Sequence, residues 1–171
     1  MRQHVERQLL GDWSRLFGYA MSLARDRDKA SDLLQQAAVQ ALTTQRPPHD
    51  VRAIRAWLFQ IIRHVWIDRF RQEAVRADYA ARAIEETPAW DYDDRVISEI
   101  GVRQGLALID PAFREIVELV DVQGFSYAEA AEILHVPVGT VMSRLSRARR
   151  ALLDCLGGAV RSVDTQQRRT V

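Results

Sequence analysis

A short stretch near the C-terminal end constrains this fold more than any other feature, because it marks two helix starts with a break between them. Ser126 and Glu129 have the spacing of a capping box, in which a hydroxyl and a carboxylate each bind a backbone amide that the first helical turn leaves without a partner. The tripeptide His135-Val136-Pro137 then interrupts the helix, and Pro137 suits the first position of a new one. We therefore predict a helix-turn-helix, a motif that can place its second helix in the major groove of DNA.

The second helix of this motif has an apolar side and a cationic side. The apolar residues predicted to face inward are Val138, Val141, Leu145, Ala148 and Leu152. On the outer side, arginine can bind guanine or phosphate, and serine and threonine suit either. An arginine-rich helix end is also explained by solvation and by the helix dipole, but the capped and turned context favours DNA. The predicted DNA-binding set is Ser126, Tyr127, Thr140, Met142, Ser143, Arg144, Ser146, Arg147 and Arg150.

Three further helices are predicted in the N-terminal half from apolar residues at three- and four-residue spacing. They cover residues 9–23, 28–42 and 50–72, with Asp28 and Asp50 as N-caps of the second and third. Pro47-Pro48 separates these two helices. Because no segment alternates apolar and polar residues over a useful length, the predicted fold is all-α, with two small helical domains.

An acidic segment separates the two helical parts. Between Glu73 and Glu99, acidic residues outnumber arginines, and Thr87-Pro88 interrupts any helical periodicity. We predict a first domain over residues 1–75, a flexible acidic linker over 76–95, a helix-turn-helix domain over 96–156 and a flexible polar tail over 157–171. The plain interpretation of the linker is a self-repelling tether.

Charge and cysteine content exclude several classes of function. The formal net charge is only +1, so affinity for nucleic acid has to come from local clusters of cations. Lys29 is the single lysine among 24 basic residues; arginine suits bidentate contacts with phosphate, although genomic base composition produces the same bias. Cys155 and the four dispersed histidines have no metal-binding spacing, and no catalytic set, cofactor motif or membrane-spanning apolar run is present. We therefore predict a cytoplasmic protein without metal, cofactor or catalytic site.

Two segments together resemble the sigma factors of bacterial RNA polymerase, in particular the extracytoplasmic-function (ECF) group, which keeps only regions two and four. Residues 121–134 and 137–152, which contain the helix-turn-helix, are similar to region four. Residues 30–36 and 56–71 are similar to region two. Both matches in this order and with this separation are hard to obtain by chance.

The resemblance implies a promoter-specificity subunit and not an enzyme. It implies that region four reads the minus thirty-five promoter element, that residues 30–36 dock on the clamp helices of the polymerase β′ subunit, and that residues 56–71 recognise and help melt the minus ten element. The β flap of core RNA polymerase, promoter DNA in double-stranded and locally melted form, and an anti-sigma factor are the other implied partners. The implied core-binding residues are Asp32, Leu33, Gln35 and Gln36, and the implied region-two DNA contacts are Arg63, His64, Trp66, Arg69 and Arg71.

The residue types in the region-two helix suit melted DNA, because unstacked bases stack on aromatic side chains while arginine follows the phosphates. Phe59, Trp66 and Phe70 lie at helical spacing on a face rotated from the apolar stripe. Phe59 and Phe70 are equally well explained as core residues beneath neighbouring helices. Trp57 lies on the inward stripe and is expected in the core.

Four positions depart from the family pattern. Gln36 stands where an acidic residue is usual, His64 where asparagine is common, and Met142 where lysine or arginine is usual. We expect weaker docking on the clamp and an unusual base preference. His135 stands where glycine is frequent; histidine tolerates a left-handed backbone better than branched residues do, so the turn remains feasible.

Two other classes of function fit parts of the pattern. One is a transcriptional regulator whose helix-turn-helix binds an operator and whose N-terminal helices dimerise or sense a signal. The other is a pure interaction module, such as an anti-sigma antagonist or mimic, in which Gln36 and Met142 mark lost function. If the chain is a sigma factor, its acidic linker is either a tether or a segment that occupies a basic polymerase channel normally holding RNA.

Overall fold

The computed structural model describes residues 2–80 and 109–167, and within them the side chains of residues 3–72 and 109–154. All regular secondary structure in these residues is helical, as predicted. The elements are α1 (Arg2–Gly11), α2 (Trp13–Ala24), α3 (Arg27–Thr43), α4 (Val51–Ala80), α5 (Pro111–Val117), a π-helical turn (Glu118–Val122), α6 (Tyr127–Leu134) and α7 (Val138–Gln167). None of the helices in the described part of the chain is long and apolar enough to cross a membrane.

The first predicted helix is two helices in the structure. The break falls at Asp12, whose backbone leaves the helical region at φ −101° and ψ 10° and whose carboxylate accepts a hydrogen bond from Gln8 Nε2. Gly11, a poor helix former, precedes it. Leu9 and Leu16 are nevertheless both buried, so the apolar stripe that predicted a single helix continues across the break.

Side-chain caps set the starts of the next two helices. Asp26, and not the predicted Asp28, caps α3, because its Oδ1 atom accepts a hydrogen bond of 2.8 Å from the Lys29 amide. Asp50 caps α4 as predicted, through bonds from the amides of the second and third helical residues. The prediction ended this helix near residue 72, but α4 continues to Ala80 and so enters the segment predicted as linker. Residues 81–108, which hold the rest of that linker and the predicted start of the second domain, lie outside the described residues.

The last helix is longer than the sequence predicted. It continues to Gln167 and so includes most of the segment 157–171, for which the sequence predicted a flexible tail. Gly157 and Gly158 weaken a helix by about 1 kcal/mol each relative to alanine, but unlike proline they do not block its hydrogen bonds. The division into two domains at the predicted boundaries stays a prediction.

The described halves of the chain share one apolar core. The Phe59 ring lies 5.0 Å from Tyr19 and 4.8 Å, edge-on, from Phe125 of the second half. Phe59 is therefore a core residue, whereas Phe70 is 62% exposed and Trp57 packs partly buried against the core. The two parts pack against each other directly, and the fully buried residues that form the core include Leu16, Leu33, Leu34, Ile54, Ile62, Ile116, Leu119, Ile133 and Leu145.

Candidate nucleic-acid interface

The first helix of the helix-turn-helix, α6, is capped as its sequence predicts. The Glu129 amide donates to Ser126 Oγ, and Glu129 Oε2 accepts from the Ser126 amide at 2.8 Å and from the Ser126 hydroxyl at 2.7 Å. Because these bonds favour the charged form, they lower the pKa of Glu129. The reciprocal contacts fix where α6 begins and therefore how the turn that follows is presented.

The turn between α6 and α7 depends on a left-handed residue. His135 has φ 54° and ψ 47°, a backbone conformation that favours glycine and that histidine adopts at a steric cost. The Val136 amide donates to the carbonyl oxygen of Ala131, and the Thr140 amide donates to the carbonyl oxygen of Pro137. These two backbone hydrogen bonds join the turn to the end of α6 and to the start of α7. The predicted turn is confirmed.

The two sides of α7 differ in exposure as predicted, with one exception. Val141, Leu145 and Ala148 are buried, but Val138, predicted to face inward, is 43% exposed because it opens the helix beyond the edge of the core. Of the predicted DNA-binding set, seven residues are exposed and Thr140 and Arg144 are half-buried. The exposed ones are Ser126, Tyr127, Met142, Ser143, Ser146, Arg147 and Arg150.

Two arginines on α7 have defined partners in the protein. Arg147 Nε donates to the Ser143 carbonyl oxygen at 3.2 Å, so its side chain lies along its own helix next to another predicted contact. Arg149 forms a two-point ion pair with Asp121, at 2.5 Å and 3.1 Å, and lies outside the predicted set. The ion pair links α7 to the π-helical turn at the protein surface.

The region-two residues predicted to contact DNA fall into two groups. Arg63 and His64 face the second half of the chain: Arg63 Nε pairs with Glu115 Oε1 at 2.9 Å, and His64 Nε2 lies 3.0 Å from His135 Nε2. Trp66 is partly buried against the core, and Arg71 is exposed. Arg69, also partly buried, donates from Nε to Gln36 Oε1 at 2.9 Å.

The residues predicted to bind core polymerase lie on α3. Asp32, Gln35 and Gln36 are exposed there, and Gln36 holds the Arg69 guanidinium. Leu33 does not belong to this surface, because its side chain is fully buried in the core. Leu33 follows Asp32 directly in sequence, but each residue of an α-helix is rotated by about 100° from the one before it, which turns Leu33 towards the core.

Between the two halves lies an interface that the sequence did not predict. We call it the interdomain interface: Tyr19, Arg55, Phe59, Arg63 and His64 on one side, and Glu115, Gln123, Phe125 and His135 on the other. Glu115 is central to it, because Oε1 accepts hydrogen bonds from both Tyr19 and Arg63 at 2.9 Å. Burial and the Glu115 carboxylate raise the pKa of Tyr19 well above its ordinary value, which keeps its hydroxyl a donor.

Arg55 contributes a second polar anchor to the interdomain interface. Its guanidinium lies over the Phe125 ring, 4.5 Å from the centroid, and one nitrogen donates to the Gln123 carbonyl oxygen. Arg55 Nε and Gln123 Oε1 are also buried here, with no hydrogen-bond partner among the described residues. A buried polar group without a hydrogen-bond partner costs about 1–3 kcal/mol. These two atoms therefore weaken the association of the two halves, whereas the hydrogen bonds of Arg55 and Glu115 strengthen it.

Comparison with known proteins gives consistent matches over both halves. A family model described as Sigma-70 region 2 matches residues 14–76, and one described as Sigma-70, region 4 matches residues 102–152. The ECF RNA polymerase sigma factor SigE of Mycolicibacterium smegmatis is 31% identical over 176 residues, covering 98% of this chain and 63% of that protein. The ECF RNA polymerase sigma factor EcfG of Rhodopseudomonas palustris is 33% identical over 147 residues, covering 80% of this chain and 76% of that protein. The sigma factor RpoE of Bartonella quintana, solved in complex with the anti-sigma factor NepR, aligns with a TM-score of 0.74 and 28% identity over 89% of this chain and 96% of its own.

Proposed function

The chain belongs to the ECF group of sigma-70 family sigma factors, and on that premise we propose that it binds core RNA polymerase, recognises the minus thirty-five and minus ten promoter elements and starts DNA melting. Sigma factors confer promoter specificity and catalyse no reaction of their own. The single observation that carries the proposal is the exposed polar and cationic side of α7 in a capped helix-turn-helix. A region-two helix with its own arginines and aromatic residues accompanies it in the same chain.

Region four is proposed to read duplex DNA through α7. Ser143 and Arg147 are exposed near the start of the helix, where recognition helices contact base edges, and Arg150 extends the cationic side further along. A good bidentate contact from arginine to guanine is worth roughly 1–3 kcal/mol of discrimination. Met142, 54% exposed in the same row, can supply only apolar contact, for example to a thymine methyl group.

Region two is proposed to meet both the polymerase and the melted strand. Asp32 and Gln35 present polar groups on the exposed side of α3, as docking on the β′ clamp helices requires. Gln36 joins this surface to the DNA surface, because it accepts a hydrogen bond from Arg69. Gln36 is neutral, so it orients the Arg69 guanidinium without neutralising it and leaves its charge available to a phosphate.

We call the chain closed when the interdomain interface is formed and open when it is not. The closed chain cannot contact both promoter elements at once. The minus ten and minus thirty-five elements lie roughly 25 base pairs apart, or about 85 Å at 3.4 Å per base pair. A compact chain of this length has a radius of gyration of about 15 Å. We therefore propose that the interdomain interface separates when the protein joins polymerase, which exchanges the Arg63–Glu115 and His64–His135 contacts for contacts with DNA.

An anti-sigma factor is proposed as the regulator of this exchange. RpoE of Bartonella quintana, which is similar to this chain over nearly its whole length, was solved in complex with the anti-sigma factor NepR. An antagonist that stabilises the closed chain, or that occupies the surfaces exposed on opening, keeps Arg63 and His64 away from promoter DNA.

Arg144→Ala and Arg147→Ala test the proposed function. We expect each substitution to reduce promoter-dependent initiation by core polymerase, by roughly 1–3 kcal/mol if the arginine contacts a base. A smaller reduction with a shallower dependence on salt is expected if it contacts only phosphate. The assay is in vitro transcription with purified core polymerase, on a promoter found by mapping transcript starts after overexpression.

Arg7→Ala is the matched control, because Arg7 is exposed on α1 outside the predicted contact set. It should leave initiation unchanged. Promoter-dependent initiation that never appears with core polymerase would refute the proposal. Tight operator binding by the isolated protein, with no gain on adding core, would favour the alternative of a stand-alone regulator.

A further inference from the structure

Two histidines that each depart from the family pattern meet across the interdomain interface. His64 is on α4, in the proposed minus ten surface, and His135 is the left-handed residue in the turn of the helix-turn-helix. Their Nε2 atoms lie 3.0 Å apart, although the residues are 71 positions apart in sequence. Neither histidine is explained by the core, since both are exposed.

The geometry of the pair is that of a hydrogen bond made end to end. The ring planes differ by 3°, and the centroids lie 5.2 Å apart. Subtracting the 3.0 Å between the Nε2 atoms from this separation leaves only the two ring radii, so both Nε2 atoms lie close to the line that joins the rings. The rings are therefore not stacked face to face: one Nε2–H points at the lone pair of the other Nε2.

The number of protons that this arrangement accepts is limited. In the neutral pair, one ring carries its proton on Nε2 and the other on Nδ1. A first added proton binds the free Nδ1 of the donor ring and leaves an N–H donor opposite a lone pair. A second added proton has to occupy the shared Nε2 position, which removes the acceptor and places two cations end to end. The pair therefore cannot take up two protons without losing its hydrogen bond, and the doubly protonated pair disfavours closure.

The charges around the pair oppose its protonation. Burial lowers the pKa of His64, and His135 and Arg63 lower it further, against a smaller opposite effect of Asp68. The charged or titratable side chains that act on His64 are Arg63 and Asp68 on α4 and His135, which caps the C-terminal end of α6; Glu115 on α5 also lies in the interface, and Glu132 lies in the last turn of α6. Glu115 already binds Arg63 and Tyr19, so its carboxylate is engaged away from the histidines.

We propose that His64 and His135 form a proton-sensitive clasp that holds the helix-turn-helix over the minus ten surface and releases it on acidification. The inference rests on the proposed function only in stating that opening exposes the minus ten surface. The clasp itself is a property of the chain in the absence of polymerase and DNA. An open chain can protonate both separated rings, whereas the closed pair accepts only one added proton without losing its hydrogen bond. Because burial lowers the pKa of His64 in the closed chain, the clasp is fully effective above the ordinary histidine pKa of about 6.5 and is lost as pH falls below it. Each proton taken up on opening changes the ratio of closed to open chains by at most tenfold per pH unit.

The test measures opening in the full-length chain without polymerase or promoter, so that its failure is distinct from failure of the proposed function. Cysteines for pH-insensitive fluorophores replace Gln45, which is exposed before α4, and Asp154, which is exposed on α7, with Cys155→Ser to remove the natural thiol. Energy transfer is followed from about pH 8 to about pH 5, which spans the ordinary histidine pKa. We expect transfer to be high at the alkaline end and to fall with acidification.

Substitutions identify the titrating groups. His64→Asn and His135→Asn each remove one ring, and asparagine tolerates the left-handed backbone at residue 135. His49→Asn is the matched control, because His49 is exposed in the segment before α4 and outside the interdomain interface. Glu118→Gln controls for the one carboxyl group in the described part of the chain whose pKa burial raises.

The proposal predicts a loss of the pH-dependent change in His64→Asn and in His135→Asn, and its retention in both controls. Circular dichroism at each pH checks that the helices persist, so that a fall in energy transfer reports opening and not unfolding. Energy transfer that does not change with pH in the unsubstituted chain overturns the proposal. An acid-induced fall in energy transfer that persists when both histidines are replaced also overturns it. A fall that Glu118→Gln abolishes would overturn it as well, by assigning the effect to that carboxyl group.

Discussion

Glu115 is the residue through which the interdomain interface can be weakened most selectively. Its Oε1 accepts hydrogen bonds from Tyr19 and Arg63, and the Arg63 and Glu115 side chains are only 20% and 15% exposed. Glu115→Gln keeps the shape and an acceptor oxygen but removes the charge. A hydrogen bond to a charged group contributes about 1.5–3 kcal/mol and a neutral one about 0.5–1.5 kcal/mol, so the Tyr19 bond, which becomes neutral, weakens by about 1 kcal/mol. The Arg63 bond keeps its cationic donor but loses the opposite charge of its acceptor, for which we also take about 1 kcal/mol.

The expected total is about 2 kcal/mol against the closed form, or roughly a 30-fold change in the ratio of closed to open chains. Because the Arg63 and Glu115 side chains are both largely shielded from water, removing the counter-charge of Arg63 costs at least this much. Energy transfer between the labels at residues 45 and 154 measures the ratio at neutral pH, where the histidine clasp is intact. Hydrogen exchange of the α5 amides gives an independent measure of opening.

Asp28→Asn is the matched control, since it removes one carboxylate from an exposed position on α3, outside the interdomain interface. It should leave the ratio close to that of the unsubstituted chain. If Glu115→Gln is as closed as the unsubstituted chain by both measurements, then the ion pair does not hold the interface and the reasoning from its geometry is refuted.

Two further substitutions test the docking surface and the capping box. Gln36→Glu places a carboxylate beside Arg69. We expect tighter binding to core polymerase, because an acidic residue is usual at this position in the family. We also expect slower open-complex formation, because a charged partner holds Arg69 more strongly. Binding of labelled core and potassium permanganate footprinting separate the two effects, and faster open-complex formation would contradict the proposed role of Arg69. Ser126→Ala should lower the free energy of unfolding by about 1 kcal/mol in urea denaturation at neutral pH. The pKa of Glu129 is lowered in the folded chain, so its carboxylate stabilises the fold at pH values above the unfolded-state pKa of about 4.3. This contribution is lost as pH falls through the folded-state pKa. The difference in free energy of unfolding between Ser126→Ala and the unsubstituted chain should therefore shrink in acid.

The features that the sequence predicted are those that act over one helical turn. Ser126 and Glu129 are three residues apart, and the Asp50 cap likewise involves only amides in the next turn. Such patterns are visible in a linear sequence because the partners are neighbours. The same locality explains the wrong choice of Asp28, since Asp26 and Asp28 both precede an amphipathic run and only the backbone conformation at residue 26 decides between them.

The features that the sequence did not predict depend on contacts between distant residues. Arg63 and Glu115 are 52 positions apart, and Tyr19 and Glu115 are 96 apart. No periodicity specifies that a carboxylate on a short helix will meet a tyrosine and an arginine on two others. His64 and His135 were each recognisable as departures from the family pattern, but their pairing became visible only in three dimensions.

The closed chain treats its two proposed DNA surfaces unequally. In region four, Ser143, Arg147 and Arg150 stay exposed, so the recognition side of α7 is accessible before any opening. In region two, Arg63 and His64 are engaged by the other half of the chain. On the proposed function, contact with the minus thirty-five element therefore need not wait for the interface to separate, whereas contact with the minus ten element does. Opening thus controls DNA melting more directly than it controls initial recognition, because residues that must reach the unpaired strand are among those that hold the chain closed.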